Sequence, residues 1–335
     1  MQSKKILTIT VPSYHTERYI DECLPTLLNE SINDKIEVIM VNDGSTDGTL
    51  EKARSYEKKF PNTIRVVDKQ NGGHGSTINK GIELAKGKYF RVVDGDDWVN
   101  TQQLISLVNH LESLEADIVV SPYEDHNMDS GEVKKQDYAN AEHGKIVSYD
   151  DLVGKANRLP MMHATTFKTN ILKENNIIID EKMFYVDMEY ITFPIPYLAT
   201  AVYLNYPVYC YRMGTAEQSV NPANFVKNRE MHRKVTYRLV EVYNALKISH
   251  PNAERTRILR RQLVHYELPL DTNICLYMDD LVSGKKEFLS YRMNIIKLAP
   301  ELWQNIPSKK VKLLSFANAF FFRLLSSYTK KKGIR

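Results

Sequence analysis

The chain has 335 residues, 43% hydrophobic and 26% charged, with a net charge of +4. That length buries a sizeable core and suits one large domain with an appendage or two domains, while so small a positive excess argues against a nucleic-acid groove. Cys23, Cys210 and Cys275 are isolated and odd in number, and no Cys-x-x-Cys or His-x-x-x-His spacing occurs, so neither a disulfide framework nor zinc chemistry is expected, and a reducing cytoplasm is.

In chain order, residues 6–11 read as a buried strand, too short for a signal-peptide core, ended by Pro12-Ser13-Tyr14. Tyr19-Ile20, Cys23-Leu24 and Leu27-Leu28 recur at helical spacing. A second strand at 36–41 ends in Asn42-Asp43-Gly44-Ser45, and a third at 63–67 precedes Asn71-Gly72-Gly73-His74-Gly75-Ser76. Ile78, Ile82 and Ala85 mark another helix, and a strand at 89–93 runs into Asp94-Gly95-Asp96-Asp97. This alternation predicts an α/β, Rossmann-like fold: a mostly parallel sheet with helices on both faces. Ligands on such sheets bind outside the carboxyl ends of the strands. The tips at 12–14, 43–45 and 94–97 are therefore predicted to converge on one crevice.

Three carboxylates in four residues repel one another unless solvated, paired or bound to a cation. Oxygen-only ligands favour Mg²⁺ or Mn²⁺, whose shell is completed by water and phosphate oxygens, so the cluster points to a nucleotide diphosphate. A solvated acidic turn is the alternative. Asp43, with Gly44 and Ser45 turning the chain, can present an acceptor to an imide N–H such as that of uracil; the competing role is an Asx-turn carboxylate capping its own loop.

Beyond residue 98, Leu104, Leu107-Val108 and Leu111 predict a helix, and 117–121 another strand. Polar, Gly-broken residues 123–145 read as a hairpin or mobile loop. Residues 203–212 read as an edge strand ending Tyr211-Arg212, followed by Gln218-Ser219-Val220. Met231, Val235, Leu239, Val242 and Leu246 form a helical stripe within 224–250, and a second helical block runs from 253 to about 278. Residues 302–335 carry eight basic residues and no acid, although the whole chain is only +4, so the preceding chain is net acidic. Leu313, Leu314, Phe316, Ala317, Phe320, Phe321, Leu324 and Leu325 predict one broad apolar face across 311–328, interrupted by Arg323. Such a helix does not comfortably cross a bilayer; it suits an anionic membrane interface. A core helix or a helix of a homodimer is the competing assignment.

The V-P-S-Y at 11–14, V-N-D-G-S-T-D-G-T, N-G-G-x-G-x-x-x-N-x-G-I-x-x-A-x-G-x-Y and D-G-D-D-W, in this order over about the first 98 residues, resemble the nucleotide-binding half of the inverting family 2 glycosyltransferases, of bacterial surface-polysaccharide type and GT-A fold. The resemblance implies that Tyr14 lines a uracil pocket and that Asp43 accepts a hydrogen bond from the base. It implies that Asp94 and Asp96 form the D-x-D element at ribose, metal and diphosphate, with Asp96 the direct ligand of Mn²⁺ or Mg²⁺. Pro12, Asn71, Gly73 and Asn79 complete the implied nucleotide-sugar site. Phe184-Tyr185-Val186-Asp187-Met188-Glu189 resembles the family's acidic motif, which makes Asp187 the implied base, with Glu189 next. Positions two apart do not share a helix face, so the two acids are not expected to work as a pair. His163, Asp97 and Glu189 are the implied acceptor contacts. This chain departs from the family pattern at Ile78, where many relatives carry Arg, at His15 in place of Asn, and at Val186 in place of an acid. Backbone N–H groups of Gly72 to Gly75 and the His74 imidazole are the expected substitutes for the missing Arg. Arg212 faces either the diphosphate or a neighbouring acid.

The function so implied is metal-dependent, inverting transfer of a hexose or N-acetylhexosamine from a UDP-sugar to a glycan hydroxyl, on a polyprenyl-diphosphate carrier at the inner face of the membrane. A protein or glycoprotein acceptor, and a catalytically silent nucleotide-sugar-binding scaffold, are the alternatives. The expected organisation is a catalytic domain at 1–222, divided into nucleotide-sugar (1–98) and acceptor (99–222) parts, and a helical region at 223–335 with a basic amphipathic stretch at 309–335.

Overall fold

A computed structural model describes residues 5–138, 141–214, 222–316 and 319–334; Gln218-Ser219-Val220 and Ala317 lie outside them. The chain divides into one unit of residues 1–156 and 160–216 and a second of residues 157–159 and 217–335.

Among the described residues the first unit holds twelve strands: β1 (Leu7–Ser13), β2 (Ile36–Asn42), β3 (Ile64–Asp68), β4 (Tyr89–Val92), β5 (Trp98–Val99), β6 (Ile118–Val120), β7 (Tyr123–Asn127), β8 (Val133–Gln136), β9 (Ile146–Ser148), β10 (Thr165–Lys168), β11 (Thr200–Tyr203) and β12 (Tyr209–Met213). An eight-stranded sheet has the order β3-β2-β1-β4-β10-β6-β11-β9, and a four-stranded sheet the order β5-β12-β7-β8. The first four strands of the large sheet are parallel. β10 is antiparallel to both neighbours, and β9 is antiparallel to β11. The sheet is thus mixed: β3-β2-β1-β4, from the alternating strands and helices of the first ninety or so residues, and the later pair β6–β11 are parallel, and the other pairings are antiparallel.

β1 is buried along its whole length, which is why it reads as a continuous apolar run rather than an alternating one. Its two buried threonines are satisfied within the sheet: Thr8 Oγ1 donates to Glu37 at 2.5 Å and Thr10 Oγ1 to the Ile39 carbonyl at 3.3 Å. Helices Ile20–Thr26 and Thr101–Leu111 bury Cys23, Leu24, Leu104, Leu107, Val108 and Leu111 in the same core as β1, β2 and Tyr209.

The edge strand expected over 203–212 is two strands in two sheets. Pro207 has no N–H for a ladder, and the chain turns at Leu204–Tyr206 with Tyr206 N donating to Leu204 O at 2.7 Å. Residues 123–136 form the expected hairpin, β7 with β8.

The second unit is helical. Helix Arg229–Ser249 buries Val235, Leu239 and Leu246 as predicted, but also His232, Thr236 and Tyr243, while Met231 and Val242 are only partly covered. A π-helical turn at Leu263–Glu267 interrupts the block expected over 253–278. The single helix expected over 311–328 is two, Lys309–Phe316 and Phe322–Lys332, because Ala319 takes a left-handed φ of 59° and ends the helical path. No described helix is long and apolar enough to cross a membrane.

Candidate active site

The parallel register sets Ser13 beside Asn42 and Thr10 beside Val92, so the carboxyl ends of β1, β2 and β4 meet as expected. Gly95 N donates to the Pro12 carbonyl at 2.9 Å, and Asp43 N to the Ser13 carbonyl at 2.8 Å. A side chain at Gly95 would meet Ser13 Oγ at 2.5 Å and Pro12 O at 2.8 Å. Only glycine lets the acidic loop lie this close to β1.

The three acids have different surroundings. Asp94 is half-buried; its Oδ1 lies 2.8 Å from His74 Nε2 and its Oδ2 accepts from the Tyr209 hydroxyl at 3.2 Å. Burial works against its charge, but His74 outweighs burial and its carboxyl titrates below the usual range. Asp96 reaches solvent, yet desolvation by the protein around it and then the negative Asp94 push its carboxyl up to about 6. Asp97 is buried, with Oδ2 accepting from Tyr209 at 2.6 Å and Oδ1 from the Arg212 N–H at 2.7 Å. Burial, then Asp96 and Asp94, raise it well above the ordinary value. Asp97 therefore faces inward, where the expected acceptor contact would have to displace these bonds.

Arg212 binds protein groups. Its Nη2 donates to Glu22 at 2.6 Å and its Nε to the Asp96 carbonyl at 2.7 Å, with the guanidinium 4.7 Å from the ring centres of both Tyr19 and Trp98. It braces the acidic loop.

The Gly-rich loop does something other than the expected phosphate cradle. Gly72 N donates to Asp43 Oδ1 at 2.9 Å and Gly73 N to Oδ2 at 2.8 Å, and Lys69 Nζ reaches Oδ1 at 2.8 Å. These donors point inward at Asp43, which is 2% exposed. The buried carboxylate thus anchors the loop, as the capping alternative required, and Oδ2 keeps a lone pair for a further donor. The loop's glycines serve packing. A side chain at Gly75 would meet the Asp180 carbonyl at 2.2 Å, and Gly73, at φ 81°, lies against Lys182 Cα. Residues 179–182 are thereby held on the loop, with Lys182 N donating to Gly72 O at 2.5 Å. Asn79 belongs to the same clamp: it exchanges two 2.8 Å hydrogen bonds with the Ile179 backbone and so is not turned to a ligand. Pro12 is likewise buried in β1. Asn71 is exposed, and Tyr14 is 51% exposed with its ring stacked on His15 at 4.1 Å, a platform for a planar base.

The clamp delivers the second acidic motif. Asp187 is the first residue of helix Asp187–Thr192, where the helix dipole favours a carboxylate, and it is half-buried. Burial alone would lower the His74 imidazole, but Asp94, then Asp187 and Asp96, outweigh it and raise its pKa. Both acidic motifs thus act electrostatically on the His74 imidazole, Asp94 through a direct 2.8 Å hydrogen bond. Glu189, by contrast, is fully buried and accepts the Asp180 N–H at 2.8 Å. It supports the clamp from inside the protein.

His163 precedes β10, and because β10 runs antiparallel to β4, its start lies at the same sheet edge as the exit of β4. Its ring stacks on Tyr211 at 4.4 Å and lies 4.6 Å from Tyr209. Burial brings its pKa down to about 4, so the imidazole is neutral. Its carbonyl accepts from Arg91 Nη2. Arg91 is fully buried in β4, and its Nη1 donates to Thr166 at 2.9 Å. A lone cation inside Tyr89-Phe90-Arg91-Val92-Val93 was a visible signal of such a brace; nothing in the spacing marked Tyr209.

One ligand atom each from Asp94, Asp97 and His163 falls within 4.8 Å of the others, as do those of Glu124, His126 and Cys210. The Tyr209 hydroxyl already lies between Asp94 and Asp97, and Asp96 is the acid of this loop that reaches solvent, where a hard cation's oxygen ligand would be accessible. The second cluster brings together a thiol, an imidazole and a carboxylate that no sequence spacing revealed, on the neighbouring strands β7 and β12.

A family model described as Glycosyl transferase family 2 matches residues 8–178. Among curated proteins, the uncharacterized glycosyltransferase EpsJ of Bacillus subtilis is 41% identical over 114 residues, 34% of this chain and 33% of that protein. The poly(ribitol-phosphate) beta-glucosyltransferase of Bacillus spizizenii is 31% identical over 174 residues, 51% of this chain and 26% of that one. The chain thus matches about a third or less of the length of either relative. Among solved structures, S. aureus TarS 1-349 in complex with UDP-GlcNAc superposes with a TM-score of 0.64 over 98% of this chain and 92% of that one, at 19% identity, a likeness of fold.

Proposed function

The chain belongs to glycosyl transferase family 2, and from that premise we propose that it is a metal-dependent inverting glycosyltransferase of GT-A type. It moves a hexose or N-acetylhexosamine from a UDP-sugar to a hydroxyl of a glycan, carried on polyprenyl diphosphate at the inner face of the membrane, in the making of a bacterial surface polymer. The observation that carries this reading is the convergence of Tyr14, Asp43 and the acidic loop Asp94–Asp97 at the carboxyl ends of β1, β2 and β4, with Asp96 exposed there. The UDP-GlcNAc complex of a similarly folded protein and the poly(ribitol-phosphate) relative support the donor and the acceptor class.

In this reading the uracil stacks on Tyr14 and reaches the remaining lone pair of Asp43 Oδ2, while Asp94 and Asp96 hold the cation. A divalent cation bound there neutralises charge on the diphosphate. Asp187 takes the proton of the acceptor hydroxyl as its oxygen bonds the anomeric carbon. The bond from that carbon to the diphosphate oxygen breaks on the opposite face, and its electron pair leaves with UDP. His74, hydrogen-bonded to Asp94, would add a donor on the same side as that departing charge. UDP release from a panel of UDP-sugars, with and without Mn²⁺, tests the reading: metal-dependent release with one donor supports it, and no release with any donor overturns it.

A further inference from the structure

Helices Lys309–Phe316 and Phe322–Lys332 are fixed parts of the second unit, each packed by one side. Val311, Leu314, Ala319, Phe322, Ser326 and Thr329 are buried. Ser326 Oγ donates to the Leu276 carbonyl at 2.6 Å, and the Phe322 ring lies 6.3 Å from that of Phe288. Two of the lysines are used inside the unit: Lys310 donates to Asn273 at 2.6 Å and Lys330 pairs with Asp279 at 2.8 Å.

The residues between these buried positions face solvent. Phe316 is 93% exposed, Phe320 77%, Leu324 66% and Tyr328 52%. Exposed large apolar side chains recurring through one short stretch, 316–328, exceed the single ones that are ordinary on a surface and mark a contact segment. Lys309, Lys312, Arg323, Lys331 and Lys332 are exposed in the stretch from 302 onward, which has no acidic residue; the acid paired to it, Asp279, is taken up by Lys330. An apolar protein interface of this kind depletes lysine and mixes both signs of charge at its rim. Aromatic and leucine side chains set among lysines and arginines of one sign instead fit the boundary between acyl chains and anionic headgroups.

We propose that Phe316, Phe320, Leu324 and Tyr328, with the cations around them, form a prefolded surface that docks on an anionic lipid bilayer. The proposal takes its membrane from the reading above, but its test involves no sugar. The segment does not have to fold on the membrane, since its other side is already seated on the unit's own helices. That seating also makes deletion of the segment a poor probe, because it would strip Val311, Leu314 and Phe322 from the core.

The probes are vesicles of phosphatidylcholine with and without phosphatidylglycerol, and the proteins are the full chain, the triple variant F316S/F320S/L324S and the charge variant K312Q/R323Q/K331Q/K332Q. Urea melts establish that each variant is folded. Wild type should sediment with the phosphatidylglycerol vesicles, weakly with phosphatidylcholine alone, and less as salt rises. Either variant should lose about ten-fold or more of that partition, with UDP release on a soluble acceptor unchanged. Wild type left in the supernatant overturns the proposal, as do variants that sediment equally well. So does light scattering that finds a wild-type dimer made monomeric by the triple variant without any lipid binding, since a second copy would then cover the face. Loss of UDP release in wild type with normal vesicle binding would remove the proposed function and leave this surface standing.

Discussion

The Tyr209 hydroxyl donates to Asp97 at 2.6 Å. Tyr209 comes from β12 and Asp97 from the loop leaving β4, more than a hundred residues earlier, so this bond fixes the acidic turn to the second sheet. Asp94, on the other side of the hydroxyl at 3.2 Å, is steadied by the same atom.

Tyr209→Phe should therefore cost about 1–3 kcal/mol of stability, the usual penalty for leaving a buried polar group without its partner. It should also weaken Mn²⁺ binding, because Asp94 loses a fixed neighbour. Urea unfolding and Mn²⁺ titration on the same protein check both, and unchanged values would remove Tyr209 from the site's support.

Asp96→Asn should abolish metal-dependent turnover and weaken UDP binding in Mn²⁺ far more than in EDTA. The wild-type carboxyl, raised to about 6, holds its proton below that pH, so Mn²⁺ affinity should rise as pH passes upward through about 6. In the Asn variant that rise should disappear. Calorimetric titration at several pH values distinguishes the two.

Asp187→Asn should leave the donor Kd nearly unchanged while kcat falls by about 10²–10⁴, the scale of losing a general base. A variant with near-normal kcat would assign the base elsewhere. Glu189 is no longer the natural replacement, being fully buried beneath Asp180.

The second unit should show its own pH dependence. His232 is 4% exposed, with Asp271 at 3.3 Å and Glu267 at 3.5 Å. Burial alone would lower its pKa, but Asp271 and then Glu267 outweigh it and raise it from 6.5 to about 10. The native state therefore binds this proton more tightly than the unfolded chain. Its stabilisation is complete below about 6.5 and is lost as pH rises through about 10. His232→Gln should cost about 3 kcal/mol near neutral pH, the range for breaking a buried ion pair, and progressively less toward pH 10 and above. Urea midpoints across that range measure it; a pH-independent deficit would contradict the assignment.

Sequence by itself determined the parallel strands, their order of tips and the chemistry collected there, because continuous apolar runs and Gly-rich or acidic exits are local signals and a parallel sheet brings such exits to one edge. The placing of Asp94, Asp96 and Tyr14 at one end of the sheet was legible for that reason. Direction of side chains was decided only by the fold. Asp97, Glu189, Asn79 and Pro12 sit in the same motifs as the exposed candidates, yet their side chains are buried or bonded within the protein, and Gly72 and Gly73 spend their N–H groups on Asp43. Nor did spacing reveal Tyr209, or the grouping of Cys210 with His126, since these contacts join strands far apart in the chain. In the basic stretch, composition announced an amphipathic segment but averaged over both of its sides; only packing against the helix Leu268–Tyr277 separated the buried Phe322 from the exposed Phe316 and Phe320.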